Sequence, residues 1–151
     1  MNVKIAAMAQ CNPVHIEHLV EQFSTTDNLI LGVASLKQVR PTAANGDQVM
    51  LFYTTPFQAV VTAMEGGASP ETGLEDWKNE INAILDFYRQ HRRITTLTEE
   101  CSALANPTLF AELIRDRLSL NVDIKTAMTA EKREVDIWHQ LIACQLINQS
   151  V

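Results

Sequence analysis

Two rhythms of apolar residues run along this chain, one helical and one continuous. Behind Asn12-Pro13, an N-cap followed by proline at the first helical position, Ile16, Leu19, Val20 and Phe23 recur at helical spacing and predict an amphipathic helix ending near Ser24. The polar cluster STTDN follows, and then LILGVASL, whose opening residues form the unbroken apolar run of a buried strand. PTAANGD, residues 41–47, reads as a loop from its Pro, Asn and Gly content. Val49 to Tyr53 is a second strand, short, apolar and partly β-branched or aromatic.

Thr55-Pro56 opens a helix with Ala59, Val60, Ala63 and Met64 on one face, and Gly66-Gly67 stops it. After the loop ASPETG, Thr72 and Glu75 have the spacing of a capping box. Leu74, Trp77, Ile81, Ile84, Leu85 and Tyr88 then mark a long helix running to about His91. Ile94 to Thr98, with three threonines among apolar residues, predicts a third strand. Asn106-Pro107 starts another helix through Phe110, Leu113, Ile114 and Arg117, ending near Leu118, and a loop through Asn121 and Asp123 follows. The last helix runs from about Thr129 to Asn148. Val135, Trp138, Ile142 and Leu146 form one apolar stripe on it, and Ile137, Leu141 and Cys144 form another. So wide an apolar surface either closes over the core or meets another subunit, with Trp138, Leu141 and Ile142 as the contact residues.

These elements predict one α/β domain spanning residues 1–151: a short, mainly parallel sheet of about three strands, flanked by helices, with a helical C-terminus. At 151 residues a normal core is expected, and 46% hydrophobic with 20% charged residues is ordinary globular composition. A net charge of −6 argues against nucleic acid, which is bound through basic surfaces. No apolar run approaches the ~20 residues that span a bilayer, and Met1 to Gln10 lacks the pattern of a signal peptide. The expectation is a soluble cytoplasmic protein that binds neither membrane nor nucleic acid. Cys11, Cys101 and Cys144 stand apart without metal or redox spacing and are expected to be reduced, buried or half-buried structural thiols.

Few constellations carry chemistry. Arg89, Arg92 and Arg93, with His91, form the dense basic cluster, where cations complement a helix C-terminus or receive a small anion. Cys11, His15 and His18 have helical metal spacing, but no fourth ligand is placed with them, and a solvated polar face is the expected reading. Cys101 follows Glu99 and Glu100, whose charge works against thiolate formation. Ser35 in GVASL lacks both glycines of a nucleophile elbow at the required spacing. Neither a phosphate-binding P-loop nor a dinucleotide fingerprint is present. No metal, cofactor or catalytic residue is expected.

The segment QVMLFYTTPFQAVVTA resembles part of the sulfotransferase-like branch of the P-loop fold, in which a strand of the form YRDP precedes a helix carrying a serine six residues after the proline. In that family the arginine and serine hold the cofactor's 3′-phosphate; here Thr54 stands at the arginine position and Thr62 keeps a hydroxyl at the serine position. Downstream, ITTLTEECSALANPTLFAELIRDRLSL resembles the family's strand, Asn-or-Asp-Pro helix and Gly-Leu ending, with Ser119 in the glycine's place. The likeness covers about residues 49–120, and the family's phosphate loop and catalytic lysine have no counterpart. The strand ending in Thr54-Thr55-Pro56, the helix bearing Trp77 and the His91-Arg92-Arg93 junction with the next strand also resemble uncharacterised bacterial proteins linked to surface-polysaccharide genes. The resemblance implies a ligand corner at Thr54, Thr55, Thr62, Arg89, Arg92 and Arg93, and a degenerate transferase domain that takes a nucleotide or a phosphorylated or sulfated sugar. The residues themselves point first to a non-catalytic binding or scaffold module that self-associates.

Overall fold

The computed structural model describes residues 3–21, 29–31, 36–39, 47–118 and 137–149. Four strands form one parallel sheet: β1 (Val3–Ala7), β2 (Leu29–Leu31), β3 (Gln48–Tyr53) and β4 (Thr95–Glu99), in the order β2-β1-β3-β4. The α/β class and parallel sheet are as the sequence predicts, with one strand more. The added strand is β1, whose Val3, Ile5, Ala6 and Ala7 are buried. Its two alanines and lysine give little β-propensity, so only its place between β2 and β3 makes it a strand.

The helices are α1 (Pro13–Val20), α2 (Pro56–Glu65), α3 (Pro70–Gln90), α4 (Glu100–Ala105), α5 (Pro107–Leu118) and α6 (Ile137–Gln149). Asn12 caps α1 by accepting the Val14 N–H, and Thr55 caps α2 by accepting the Gln58 N–H. The first helix closes at Val20, where the Glu21 N–H returns to the Glu17 carbonyl. The expected end at Ser24 lies outside the described residues. So do STTDN, the residues after Leu31 in LILGVASL up to Ser35, positions 41–46 of the loop PTAANGD, Ser119 to Asp123, and the expected first part of the last helix up to Val135.

Gly66-Gly67 stops α2 as predicted. Gly67 takes φ +88°, while the Ala68 N–H reaches the Ala63 carbonyl and the Gly67 N–H the Met64 carbonyl, the paired bonds of a Schellman ending. The capping box at Thr72 and Glu75 does not form. Ser69 is the cap of α3, its hydroxyl accepting the Thr72 N–H at 3.2 Å, with Pro70 at the first helical position. Ser-Pro outcompetes the later pair, which falls inside the first turns. Gly73 then has a packing reason to sit within a helix: a Cβ there would lie 2.7 Å from the Ala63 Cβ and 3.3 Å from the Val60 Cα, so α2 and α3 approach too closely for a side chain at this position.

The main core lies around the sheet, where Ile5, Met50, Leu51 and Phe52 meet Ile16 and Leu19 of α1, Ile84 and Phe87 of α3, and Phe110, Ile114 and Leu118 of α5. A smaller cluster, Val60, Val61, Leu74 and Ala143, seats α6 on α2 and α3. Among the described residues no helix is long and apolar enough to cross a membrane.

Candidate functional site

A 2-1-3-4 parallel order reverses direction between β1 and β3, and in such sheets ligands bind beyond the carboxyl ends of the strands at that reversal. In this chain that place holds the turn from Met8 to Asn12, the residues Thr54 and Thr55 after β3, and the start of α4 after β4. Thr54 is fully buried, and its carbonyl accepts the Trp77 indole N–H at 2.8 Å, which ties α3 to the end of β3.

Carboxylates fill this end. Glu99 caps α4, accepting the Cys101 and Ser102 N–H groups at 3.0 and 2.7 Å. Glu100, 0% exposed, accepts the Asn12 N–H at 3.0 Å, and His15 Nδ1 lies 3.7 Å from the same oxygen. Glu80 of α3 accepts the Ala9 N–H at 3.0 Å. Burial is the main force on Glu100 and raises its carboxyl to about 7; the Thr54 hydroxyl and the Asn12 N–H act against that, and Glu99 adds to it. Glu80 is raised in the same direction, again mainly by burial. The Thr54 hydroxyl faces the Glu100 carboxyl and, as a donor, favours its ionised form.

The opposite edge of the sheet is basic. Val49 pairs with Thr95, and the Val49 N–H donates to the Ile94 carbonyl, so the turn 91–94 sits where β3 begins. Arg89 is exposed and pairs with Asp86 at 3.0 Å. Arg92 lies over the Tyr88 ring at 5.9 Å, and His91 packs against Phe87. Residues 89–94 line an open depression of about 400 Å³.

The predicted ligand corner is therefore not one place. Thr54 and Thr55 stand at the carboxyl end of β3, and Arg89, Arg92 and Arg93 stand beyond its start, roughly 16 Å away along a six-residue strand. Thr62 is half-buried on α2 and takes a bond from the Gln58 amide at 3.4 Å, while the Thr55 hydroxyl is engaged as a cap. Cys11, His15 and His18 do not converge either. The Cys11 thiol is buried and donates to the Phe52 carbonyl, His15 turns to Glu100, and His18 lies 3.9 Å from Glu21.

The thiols differ from the expectation. Cys11 is buried, but Cys101 and Cys144 are exposed at the surface. Cys101 heads a helix at a sheet edge and Cys144 lies on the outer side of α6, so neither faces the core. Partial burial of its sulfur, then the charges of Glu100 and Glu99, push the Cys101 thiol up to about 11, and Cys11 is raised further by burial.

On α6, Ala143 is buried and Leu146 and Ile147 are half-buried, whereas Trp138, Leu141 and Ile142 are 69%, 55% and 43% exposed. The inner face thus separates Leu146 from Trp138 and Ile142, which the sequence places on one stripe, and the helix is not closed over by its own domain. Sequence reading passed over Glu80 and Glu100 as site residues. A signal was present: two glutamates directly after a threonine-rich strand fall at the carboxyl end of that strand. No protein-family model, curated protein or solved structure matches this chain.

Proposed function

We propose that this chain is a non-catalytic binding module that pairs with a second copy of itself through the outer face of α6. The observation that carries this reading is the exposure of Trp138, Leu141 and Ile142 on a helix already anchored by Ala143. Clustered exposed apolar residues of this kind mark interaction surfaces. Ile137 to Gln149 contains no Asp, Glu, Lys or Arg, in a chain whose net charge is −6. Two copies repel one another over most of their surface, but this face brings no like charges together and desolvates no ion. The carboxyl end of the sheet supports the non-catalytic side of the reading, because Glu99 and Glu100 already take N–H groups that a bound anion would need. Two exposed free thiols fit a reducing, cytoplasmic setting.

Sedimentation across the micromolar range tests it. A concentration-dependent dimer is expected, dissociated by Trp138→Glu; a strict monomer throughout removes the proposal.

A second reading, a degenerate sulfotransferase-like domain that takes a nucleotide or a phosphorylated or sulfated sugar, is favoured by the open basic depression at residues 89–94. Its ligand belongs at Arg92 and Arg93 rather than at Thr54, where Glu99 and Glu100 already take the Asn12, Cys101 and Ser102 N–H groups. A thermal-shift screen of nucleotides and sugar phosphates, repeated in Arg92→Ala, separates the two readings. A shift lost in the variant supports the second.

A further inference from the structure

β4 closes the sheet on one side, and among the described residues no strand pairs with its outer edge. Val49 pairs with Thr95 and gives its N–H to the Ile94 carbonyl. Alternation along a parallel ladder then turns the backbone groups of Thr96 and Thr98 toward β3 and those of Leu97 and Glu99 outward. A cleft of about 320 Å³ opens on that outward side, where the strand ends. It is lined from both faces of the sheet: Leu97 and Glu99 share the face of Tyr53, which pairs with Glu99, and Phe110 packs on Phe52 of the opposite face. The cleft therefore wraps the end of an edge strand rather than lying over one face.

Its walls are largely apolar. Ala103 and Phe110 are buried, Leu97 and Leu113 are half-buried, and Leu109 of α5 is 62% exposed at the rim. Among the described residues lining it there is no Lys, Arg or His, and the charged group is the Glu99 carboxylate. That carboxylate is held in place from behind. Its two oxygens take the Cys101 and Ser102 N–H groups, and each oxygen keeps a second lone pair. A ligand therefore meets a fixed acceptor, with little rotamer freedom left to lose on binding.

The charge selects the occupant. A carboxylate or phosphate would face like charge, and a neutral apolar molecule would strip water from Glu99 and return no hydrogen bond. An ammonium group supplies both the opposite charge and the donors. A net charge of −6 on the chain draws cations toward it at longer range. The volume lies at the small end of ligand pockets, which run from roughly 300 to 1,000 Å³.

We propose that this cleft binds a small organic amine, its apolar body of about one ring against Leu97, Phe110 and Leu113 and its ammonium group on Glu99. The site is separate from the α6 face, since α6 packs on α2 and α3 and the cleft is bounded by β4, α4 and α5.

Titration of the whole chain with phenethylamine, followed by amide nitrogen–proton NMR, tests it, with phenylpropionate as the isosteric anion. Saturable shifts confined to residues 53 and 97–113 are expected by about 10 mM amine, with phenylpropionate at least about tenfold weaker. Leu109→Lys, at an exposed position, places a cation at the rim and is expected to weaken the amine about tenfold; Glu99→Gln, which keeps one oxygen as a cap acceptor, is expected to do the same. Trp138→Glu is expected to bind the amine like the native chain, whatever its oligomeric state. No saturable shift at these residues, equal binding of amine and anion, or native amine affinity in both Leu109→Lys and Glu99→Gln overturns the proposal.

Discussion

Where β3 ends, Thr54 and Glu100 are fully buried and Glu80, Glu99 and Glu100 accept backbone N–H groups; where it begins, Arg89, Arg92 and Arg93 stand exposed around an open depression. The sorting follows from a parallel sheet. Helices that follow the strands start at one edge, as α1, α2 and α4 do here, and present unpaired N–H groups and partial positive charge there. The C-terminus of α3 falls at the other edge and presents carbonyls and partial negative charge. Carboxylates collect at the first edge and guanidinium groups at the second. What differs is burial: the acidic edge lies under α1 and α4, and the basic edge is a surface turn. The first therefore bears on stability and pH response, and the second on solvent and anions.

The largest expected effect at the acidic end is on pH. Because burial raises Glu100 from the ordinary 4.5 to about 7, the folded chain holds a proton that the unfolded chain has released between those values. Stability contributed by this group is complete below the ordinary glutamate range and is lost as pH rises through about 7. Urea unfolding should show a decline on the order of 3 kcal/mol across that window, largely abolished in Glu100→Gln. A stability that rises with pH there would mean that Glu100 is better solvated than its burial implies.

Truncation sharpens the contrast. Glu100→Ala leaves the Asn12 N–H without its acceptor and opens a hole, and should cost about 2 kcal/mol by denaturant midpoint. Asn12→Ala and Thr55→Ala each remove a helix cap at the same edge, with expected losses of about 1 kcal/mol. At the basic end Arg92→Ala and Arg89→Ala should change stability by less than about 0.5 kcal/mol, since both groups are exposed and the Asp86 pair is screened by water. A larger loss from either arginine than from Glu100 would reverse the assignment of the two ends.

Much of the framework was legible because it is written locally. Asn12-Pro13, Thr55-Pro56, Gly66-Gly67 and the helical stripe from Leu74 to Tyr88 act within a few residues of themselves, and the elements form where these signals stand. Ser69-Pro70 is an equally local signal and takes precedence over the spacing of Thr72 and Glu75, which has no force once the helix has already begun. β1 and α4 escaped for a different reason. VKIAA is a weak strand by composition and ECSALA is a turn and a half of helix, and both owe their form to neighbours supplied by remote parts of the chain.

The candidate sites divide in the same way. The basic cluster at Arg89 to Arg93 and the apolar, uncharged last helix can be read directly, since each is a run of neighbouring residues. Sequence by itself determined the types of the locally marked elements, the parallel α/β class and these two surfaces, because periodicity, caps and charge runs are short-range properties. Tertiary structure alone decided that Thr54 and Arg92 lie at opposite edges, that Glu80 and Glu100 meet on one turn, and that α6 turns Ala143 inward and Trp138 outward. Those are contacts between residues far apart in the chain. They are fixed by strand order and by which face of each helix the core can bury, which no local pattern specifies.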